Sequence, residues 1–122
     1  MEENKKNSNI FWIYILECKN GNYYTGYTRN LDRRYQQHLK GTANSKYTKS
    51  FKPKRIARSW QLFENVGTVL KIERFIKRQR RTTKEALINS PEKLGQMLRE
   101  KLNLFAEIHS FDHRKLKKHN NK

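Results

Sequence analysis

Cysteine is almost absent from the sequence: Cys18 is the single one among 122 residues. One thiol cannot form a disulfide within the chain, and zinc sites of the CxxC type need at least two cysteines. The sequence therefore excludes a disulfide framework and a CxxC zinc site. We expect Cys18 to be an ordinary strand residue.

Long hydrophobic runs are also missing. No apolar run approaches the ~20 residues that a membrane-spanning helix requires. The first nine residues, MEENKKNSN, contain no apolar signal core. We therefore expect a cytoplasmic protein without a membrane partner. Hydrophobic residues make up only 34% of the 122 residues, which predicts one domain with one modest core.

Acidic residues are scarce beside basic ones. Eleven Asp and Glu face 28 Lys and Arg, which gives a formal net charge of +17. This imbalance indicates a polyanionic partner, DNA in the first place and structured RNA as an alternative. Residues 31–60 hold nine basic residues and one acidic residue, and residues 71–84 hold seven and one. The candidate nucleic-acid contacts in these two blocks are Arg33, Lys46, Tyr47, Lys49 and Lys77.

Two short apolar runs joined by a turn sequence predict a β-hairpin. The run IFWIYILEC (10–18) is rich in β-branched and aromatic residues, and KNGN separates it from YYTGYT (23–28). Asn and Gly accept the positive φ of tight turns, so the two runs are expected to pair antiparallel. A third strand is predicted over RIARSWQLFEN (55–65), where alternation groups Ile56, Arg58, Trp60, Leu62 and Glu64.

Helical spacing begins after the hairpin. One stripe of an amphipathic helix collects Leu31, Arg34, Tyr35, His38 and Leu39. Asn30 is placed to cap this helix, which is expected to end at Gly41. Residues 41–54 are predicted to form a polar, basic loop.

Three further helices are predicted in the second half of the chain. The first covers TVLKIERFIKRQRR, with Val69, Ile72 and Ile76 turned inward. Thr82 followed by Glu85 has the pattern of a capping box that opens a short helix. The last helix is predicted over roughly 91–105, with proline in its first turn.

Three charged or titratable residues occupy positions that a plain core would fill with apolar side chains. Arg34 and His38 interrupt the apolar stripe of the first helix, and Glu73 lies on the inward side of a later one. A buried unpaired charge is costly, so each needs a partner, a metal or a cleft. The simplest alternative to a functional site is an internal ion pair between Arg34 and Glu73.

The order of these residues resembles a known family. Tyr14 in IYI is followed ten residues later by Tyr24 in YTG, and then by Arg34, His38 and Glu73. This set resembles the GIY-YIG nuclease family. The run FWIYILECKNGNYYTGYTRNLDRRYQQH, with KYT and KIERFIKR after it, is similar to the small stand-alone bacterial members. The motif letters depart from the family pattern at Ile13 and Thr25.

The resemblance covers about residues 10–89 and implies an α/β fold of the α+β kind. It implies a three-stranded antiparallel sheet flanked by helices. Residues 90–108 are then a C-terminal helical extension. Residues 1–9 are expected to form a flexible arm, and residues 109–122 a basic, disordered tail.

The resemblance also implies an activity, the endonucleolytic hydrolysis of DNA phosphodiester bonds with one divalent cation, Mg²⁺ or Mn²⁺. Glu73 would hold the cation, and Arg34 would bind the scissile phosphate. Tyr14 and Tyr24 would place or deprotonate the attacking water, with His38 as an alternative base or phosphate donor. A tyrosine base needs a pKa below its usual ~10, which the cation and the basic residues are expected to provide.

Two other functions are consistent with the sequence. The same basic surface suits a nucleic-acid-binding protein without catalytic activity. The small size suits an accessory subunit of a DNA repair or recombination complex. The sequence identifies no protein partner and leaves the choice between Tyr14, Tyr24 and His38 as the base open.

Overall fold

Residues 10–111 are those that the structure, a computed structural model, describes. They form four strands and five helices. The strands are β1 (Ile10–Cys18), β2 (Tyr23–Thr28), β3 (Pro53–Phe63) and β4 (Ile108–Phe111). The helices are α1 (Leu31–Lys40), α2 (Lys46–Ser50), α3 (Val66–Lys77), α4 (Arg81–Asn89) and α5 (Lys93–Leu102). Within these residues, no helix combines the length and the apolar character needed to cross a membrane.

The predicted hairpin is confirmed. Strands β1 and β2 pair antiparallel, with Tyr14 opposite Gly26 and Leu16 opposite Tyr24. Gly21 adopts φ 89° in the connecting turn, a backbone conformation that suits glycine. The turn closes through a hydrogen bond from the Cys18 amide to the Asn22 carbonyl. Cys18 is buried at the end of β1, as an ordinary strand residue would be.

The sheet is entirely antiparallel, in the order β2-β1-β3-β4, and it buries both of its faces. Because strand side chains alternate, odd-numbered residues of β1 such as Ile13 face one way and Tyr14 the other. The larger core contains Ile13 together with apolar residues of α3, α4 and α5. The smaller core joins Tyr14, Leu16 and Leu31, so it lies between the sheet and α1.

Strand β3 departs from the simple alternation that its sequence predicts. Ile56 packs in the smaller core, whereas Trp60 and Leu62 pack in the larger one. A register irregularity between Ile15 and Leu16, opposite Arg58 and Ile56, explains the difference. An extra residue in one strand reverses the face of every side chain beyond it, and periodicity alone cannot locate it.

A fourth strand corrects the predicted three-stranded sheet. Strand β4 pairs with the outer edge of β3, and it uses residues 109–111, which the sequence assigned to the tail. Phe111 contacts Trp12 with ring centroids 5.1 Å apart, and its carbonyl accepts a hydrogen bond from Arg58. The rest of the predicted tail and the predicted arm, residues 112–122 and 1–9, lie outside the described residues.

Three helix predictions also need correction. Helix α2 occupies part of the predicted 41–54 loop, because the Ser45 side chain caps it by accepting from the Thr48 amide. Helix α4 begins at Arg81 without any side-chain cap, so the predicted capping box is wrong. Glu85 instead accepts hydrogen bonds from Arg81 and from the Tyr23 hydroxyl. The last helix, α5, is shorter than the predicted 91–105.

Candidate active site

Tyr14 is the central residue of the candidate site. Its ring is 1% exposed and lies on the α1 side of the central strand β1. The neighbouring strand carries Gly26 directly opposite, and a Cβ there would lie 2.5 Å from the Tyr14 Oη and 2.7 Å from its Cζ. Carbon contacts are normally ~3.5–4.0 Å. The Tyr14 ring therefore occupies the space that any other residue at position 26 would fill.

His38 connects Tyr14 to α2. Its Nε2 lies 2.9 Å from the Tyr14 Oη, and its Nδ1 lies 2.8 Å from Thr48 Oγ1. The His38 ring is 1% exposed and Thr48 is fully buried. Thr48 lies in the predicted 41–54 loop and was assigned no role from the sequence, although it belongs to the KYT motif. The sequence feature that could have pointed to Thr48 is its position three residues after Ser45, which caps α2.

The direction of these hydrogen bonds follows from the donors available. The Arg34 guanidinium lies close enough to Tyr14 to lower its pKa, and a guanidinium can only donate. The Tyr14 oxygen therefore faces a donor on this side, and we assign its own proton to the hydrogen bond with His38 Nε2. The Nδ1–H group of His38 then donates its hydrogen bond to Thr48 Oγ1. In the other His38 tautomer, the buried Tyr14 hydroxyl proton would have no acceptor among these contacts.

Burial sets the protonation of both groups. Burial raises the pKa of Tyr14, the nearby Tyr24 adds to the increase, and Arg34 acts in the opposite direction. Burial, assisted by the charge of Arg34, lowers the pKa of His38 to about 4. Both side chains are therefore neutral at pH 7. The expectation that basic residues bring the pKa of Tyr14 below its usual value is wrong, because desolvation outweighs the lowering effect of Arg34. The lowering expected from a bound metal cation stays a prediction.

Tyr24 forms the more exposed wall of the site. It is half-buried on β2, and its ring centroid lies 5.2 Å from that of His38. Tyr47 stacks on Tyr24 with an interplanar angle of 17°, and Phe51 continues the row. Tyr23 and Tyr27 pack against the larger core on the opposite face. The predicted division of the β2 tyrosines between two faces is confirmed.

Arg34 and Glu73 do not form the internal ion pair that the sequence allowed. The Arg34 Nε donates to Gln37 Oε1 at 3.1 Å. The Glu73 carboxylate lies 3.5 Å from the exposed Lys77 ammonium. Glu73 is 8% exposed on α3, and its charge is near enough to raise the pKa of Tyr14. The charges of Arg34 and Glu73 are thus both close enough to Tyr14 to shift its pKa, in opposite directions.

Glu73 fits a divalent cation that takes few protein ligands. Among residues 10–111, no three His, Cys, Asp or Glu side chains cluster as a metal-binding group. Mg²⁺ needs no such group, because it keeps several waters and often binds through one or two carboxylates plus substrate phosphates. The Lys77 side chain is half-exposed and its contact with Glu73 is long, so a cation can displace it. One carboxylate beside the Tyr14 cluster is therefore compatible with Mg²⁺ or Mn²⁺.

Comparison with known protein families shows which family the chain belongs to. Residues 10–86 match the GIY-YIG catalytic domain, which is more than half of the chain. The chain belongs to the GIY-YIG family. The GIY-YIG domain includes every predicted catalytic residue, whereas α5 and β4 lie beyond the matched region. Family membership places the protein in a nuclease superfamily whose substrates are nucleic acids.

The relatives of this GIY-YIG domain are small proteins. The chain is 38% identical over 84 residues to a UPF0213 protein of Syntrophus aciditrophicus, covering 68% of this chain and 95% of the relative. It is 38% identical over 78 residues to a UPF0213 protein of Halalkalibacterium halodurans, covering 64% and 81%. The same protein, UPF0213 protein BH0048, has a solution NMR structure under the organism name Bacillus halodurans; this chain is 34% identical to it, with a TM-score of 0.44 and coverage of 73% of this chain and 96% of that one. These names state no activity.

The predicted nucleic-acid contacts lie at different distances from the candidate catalytic residues. Tyr47 contacts one of them, Tyr24, directly. Lys46 and Lys49 are exposed on α2, on either side of the buried Thr48. Arg33 is exposed on α1 next to Arg34, and Lys77 lies beside Glu73. Their contact with nucleic acid stays a prediction.

Proposed function

We propose that this protein is a divalent-metal-dependent endonuclease that hydrolyses DNA phosphodiester bonds. The observation that carries the proposal is the hydrogen-bonded series Tyr14, His38 and Thr48, with the Arg34 guanidinium close enough to Tyr14 to lower its pKa. This arrangement has an anion-binding group at one end and a neutral imidazole that can accept a proton toward the other. Phosphodiester hydrolysis needs both functions close together.

Arg34 binds the scissile phosphate in this proposal. It is half-buried, and the hydrogen bond to Gln37 holds its guanidinium beside the Tyr14 hydroxyl. A guanidinium presents several donors in one plane, which suits two phosphate oxygens. It therefore places the phosphorus atom near the Tyr14 oxygen and stabilises the charge that develops during attack.

Tyr14 and His38 move the proton of the attacking water. As the water oxygen attacks phosphorus, its proton passes to the Tyr14 oxygen, and the Tyr14 proton passes to His38 Nε2. The bond from phosphorus to the leaving oxygen breaks as the new bond from the water oxygen forms. The leaving oxygen takes a proton from solvent water, and His38 later returns its proton to solvent. The pKa of about 4 leaves the His38 Nε2 lone pair free at pH 7 but makes His38 a weak base, so the mechanism requires the negative charge of the bound phosphate to raise this pKa during the reaction. Thr48 holds the imidazole in the tautomer that leaves Nε2 free to accept.

Glu73 would hold the divalent cation, which supplies positive charge for the phosphate and the leaving oxygen. Tyr24 is the half-buried phenol at the open side of Tyr14, so it contacts the water or a phosphate oxygen. This division of roles gives the two tyrosines of the motif different functions. Tyr14 relays a proton, and Tyr24 positions the reactants.

A cleavage panel tests the proposal. The wild-type protein is incubated with single-stranded, duplex and branched DNA in Mg²⁺ or Mn²⁺, next to Glu73→Gln, Tyr14→Phe and His38→Gln. Each variant is expected to reduce cleavage by at least ~100-fold, since each removes the cation ligand or a step of the proton relay. Glu100→Gln, at an exposed position of α5, removes the same charge as Glu73→Gln and should cut normally.

Chelation separates the proposal from its alternatives. EDTA should stop cleavage and leave DNA binding in place. Binding without cleavage of any substrate would favour the non-catalytic nucleic-acid binder. Cleavage only after addition of a cell extract would favour the accessory subunit. Glu73→Gln with wild-type activity would refute the assigned metal ligand.

A further inference from the structure

The surface next to the catalytic cluster contains an arginine-lined groove at the corner between β2 and α1. Its volume is about 610 Å³, within the ~300–1,000 Å³ range of ligand sites in proteins. Arg29, Arg33 and Arg34 line one part of it, and Phe11, Tyr27 and Val66 give it an apolar part. We call it the arginine groove.

The described residues that line the arginine groove include three arginines and no Asp or Glu, so the lining carries an excess of positive charge. In the described part of the chain, ion pairs with carboxylates involve Arg55, Arg81 and Lys77, and none of the three groove arginines. Unpaired guanidinium groups around a concave surface concentrate the positive potential there, which attracts an anion with several charges.

The structure holds Arg29 in place before any ligand arrives. The Asn30 amide donates to the Thr28 hydroxyl, and that hydroxyl in turn donates to the Asn30 carbonyl, which fixes the corner. The Arg29 guanidinium lies over the Phe11 ring, 4.6 Å from the ring centroid. A guanidinium whose face is covered by a ring still presents its edge donors to an anion. Its preorganisation reduces the entropy lost on binding.

Arg34 joins the arginine groove to the catalytic cluster. Arg34 lines the groove, and its guanidinium is also close enough to Tyr14 to lower the pKa of that phenol. A strand whose scissile phosphate lies at Arg34 therefore has its neighbouring phosphates beside the groove. We infer that the arginine groove binds the phosphodiester backbone next to the cut, on the same strand, with Arg29 and Arg33 as its phosphate ligands.

This inference rests on the proposed function for the position of the scissile phosphate, and its test uses binding so that the two can fail separately. Glu73→Gln protein in EDTA is titrated with a short fluorescein-labelled single-stranded oligonucleotide at KCl concentrations from ~50 to ~200 mM. A single strand excludes contacts with a second strand. The slope of log K against log salt then measures the number of neutralised phosphates.

Arg29→Ala in this background is expected to lower the slope by ~0.7, which makes the affinity about threefold less sensitive to this change in salt. Arg29→Lys keeps the charge and should keep the slope. Arg78→Ala is the matched control, because Arg78 is exposed on the other basic block and outside the groove. It should lower the slope by less than half as much. Thermal unfolding of each variant shows that the comparison is made between folded proteins.

Equal slopes for the Arg29→Ala and Arg78→Ala proteins would overturn the inference, because the charge would then act diffusely. An unchanged slope for Arg29→Ala would also overturn it. A lower slope for Arg29→Ala, together with no cleavage by the wild-type protein in Mg²⁺ or Mn²⁺, would support the groove and refute the nuclease. Normal cleavage by the wild-type protein with an unchanged slope for Arg29→Ala would do the reverse.

Discussion

Replacing Gly26 by alanine tests the packing on which the candidate site depends. The added Cβ would lie 2.5, 2.7 and 3.2 Å from the Oη, Cζ and Cε2 atoms of Tyr14. The positive-φ glycines of the described chain are Gly21 and Gly41, so the Gly26 backbone suits alanine. The substitution therefore isolates a steric conflict between one methyl group and one ring.

The Tyr14 ring has little room to move away. It is 1% exposed and packs with Leu16 and Leu31, and its hydroxyl lies 2.9 Å from His38. Overpacking a core costs ~1–3 kcal/mol, and a broken buried hydrogen bond adds ~1–2 kcal/mol. Alanine also restricts the unfolded chain more than glycine does, and this effect stabilises the folded protein by ~0.4–1 kcal/mol and offsets part of the loss. The free energy of unfolding should fall by roughly 1–5 kcal/mol.

Urea and thermal unfolding give the stability, and the cleavage assay gives the effect on the site. A loss of this size lowers Tm by roughly 3–20 °C for a domain of this length. Cleavage well below Tm should fall by at least ~100-fold, because the displaced Tyr14 no longer reaches His38. Gly95→Ala is the matched control. Its Cβ would meet only Arg99 Nη1 at 3.6 Å within helix α5, so the protein should gain ~0.5–1 kcal/mol.

A double-mutant cycle gives the result that would refute the reasoning. Tyr14→Leu removes the phenol end of the ring, so Gly26→Ala should be neutral or stabilising in that background. The interaction energy should then be about 1–5 kcal/mol. If Gly26→Ala is equally destabilising with Tyr14 and with leucine at position 14, the conflict lies elsewhere and the packing argument is wrong.

Further variants test the buried network. Thr48→Val leaves the Nδ1 proton of His38 without its acceptor and should destabilise the protein by ~1–3 kcal/mol in urea unfolding, whereas Thr48→Ser should stay near wild type. The pKa of His38 is about 4 in the folded protein and ~6.5 in the unfolded chain, so the unfolded chain binds the extra proton as pH falls through this window. Wild type should therefore lose up to ~3 kcal/mol more than His38→Gln between pH 7 and pH 4, and equal losses would contradict the buried neutral state. In DNA-binding assays with EDTA, Glu73→Gln should bind at least as tightly as wild type, since it removes negative charge near the phosphate site.

Local sequence signals were sufficient for the hairpin and for α1. The Asn-Gly turn and the alternation in β2 placed Tyr24 on one face and its two neighbouring tyrosines on the other, as the structure has them. The Asn30 cap was also correct, because its side chain accepts from the Arg33 amide. These features depend on residues close together in the sequence, where backbone preferences act directly.

Features that depend on distant partners were not accessible in this way. Strand β4 has four residues and forms because the outer edge of β3 offers unpaired backbone groups, with Arg58 bonding to the Phe111 carbonyl. The bulge opposite Leu16 reverses the faces of β3 without any local signal. Thr48 meets His38 only once α1 and α2 are both folded.

The protonation state of Tyr14 shows why the chemistry of a site needs coordinates as well as composition. Twenty-eight basic residues suggest a field that would ionise a phenol, yet Arg34 is the cation that acts on the Tyr14 pKa, and burial exceeds its effect. The same burial keeps His38 neutral. In the proposed mechanism, Tyr14 is protonated and the Nε2 atom of His38 is not, so the proton relay is in place before the substrate binds. Close packing against Gly26 then serves catalysis directly, because a looser ring would admit water, ionise more easily and lose the hydrogen bond to His38.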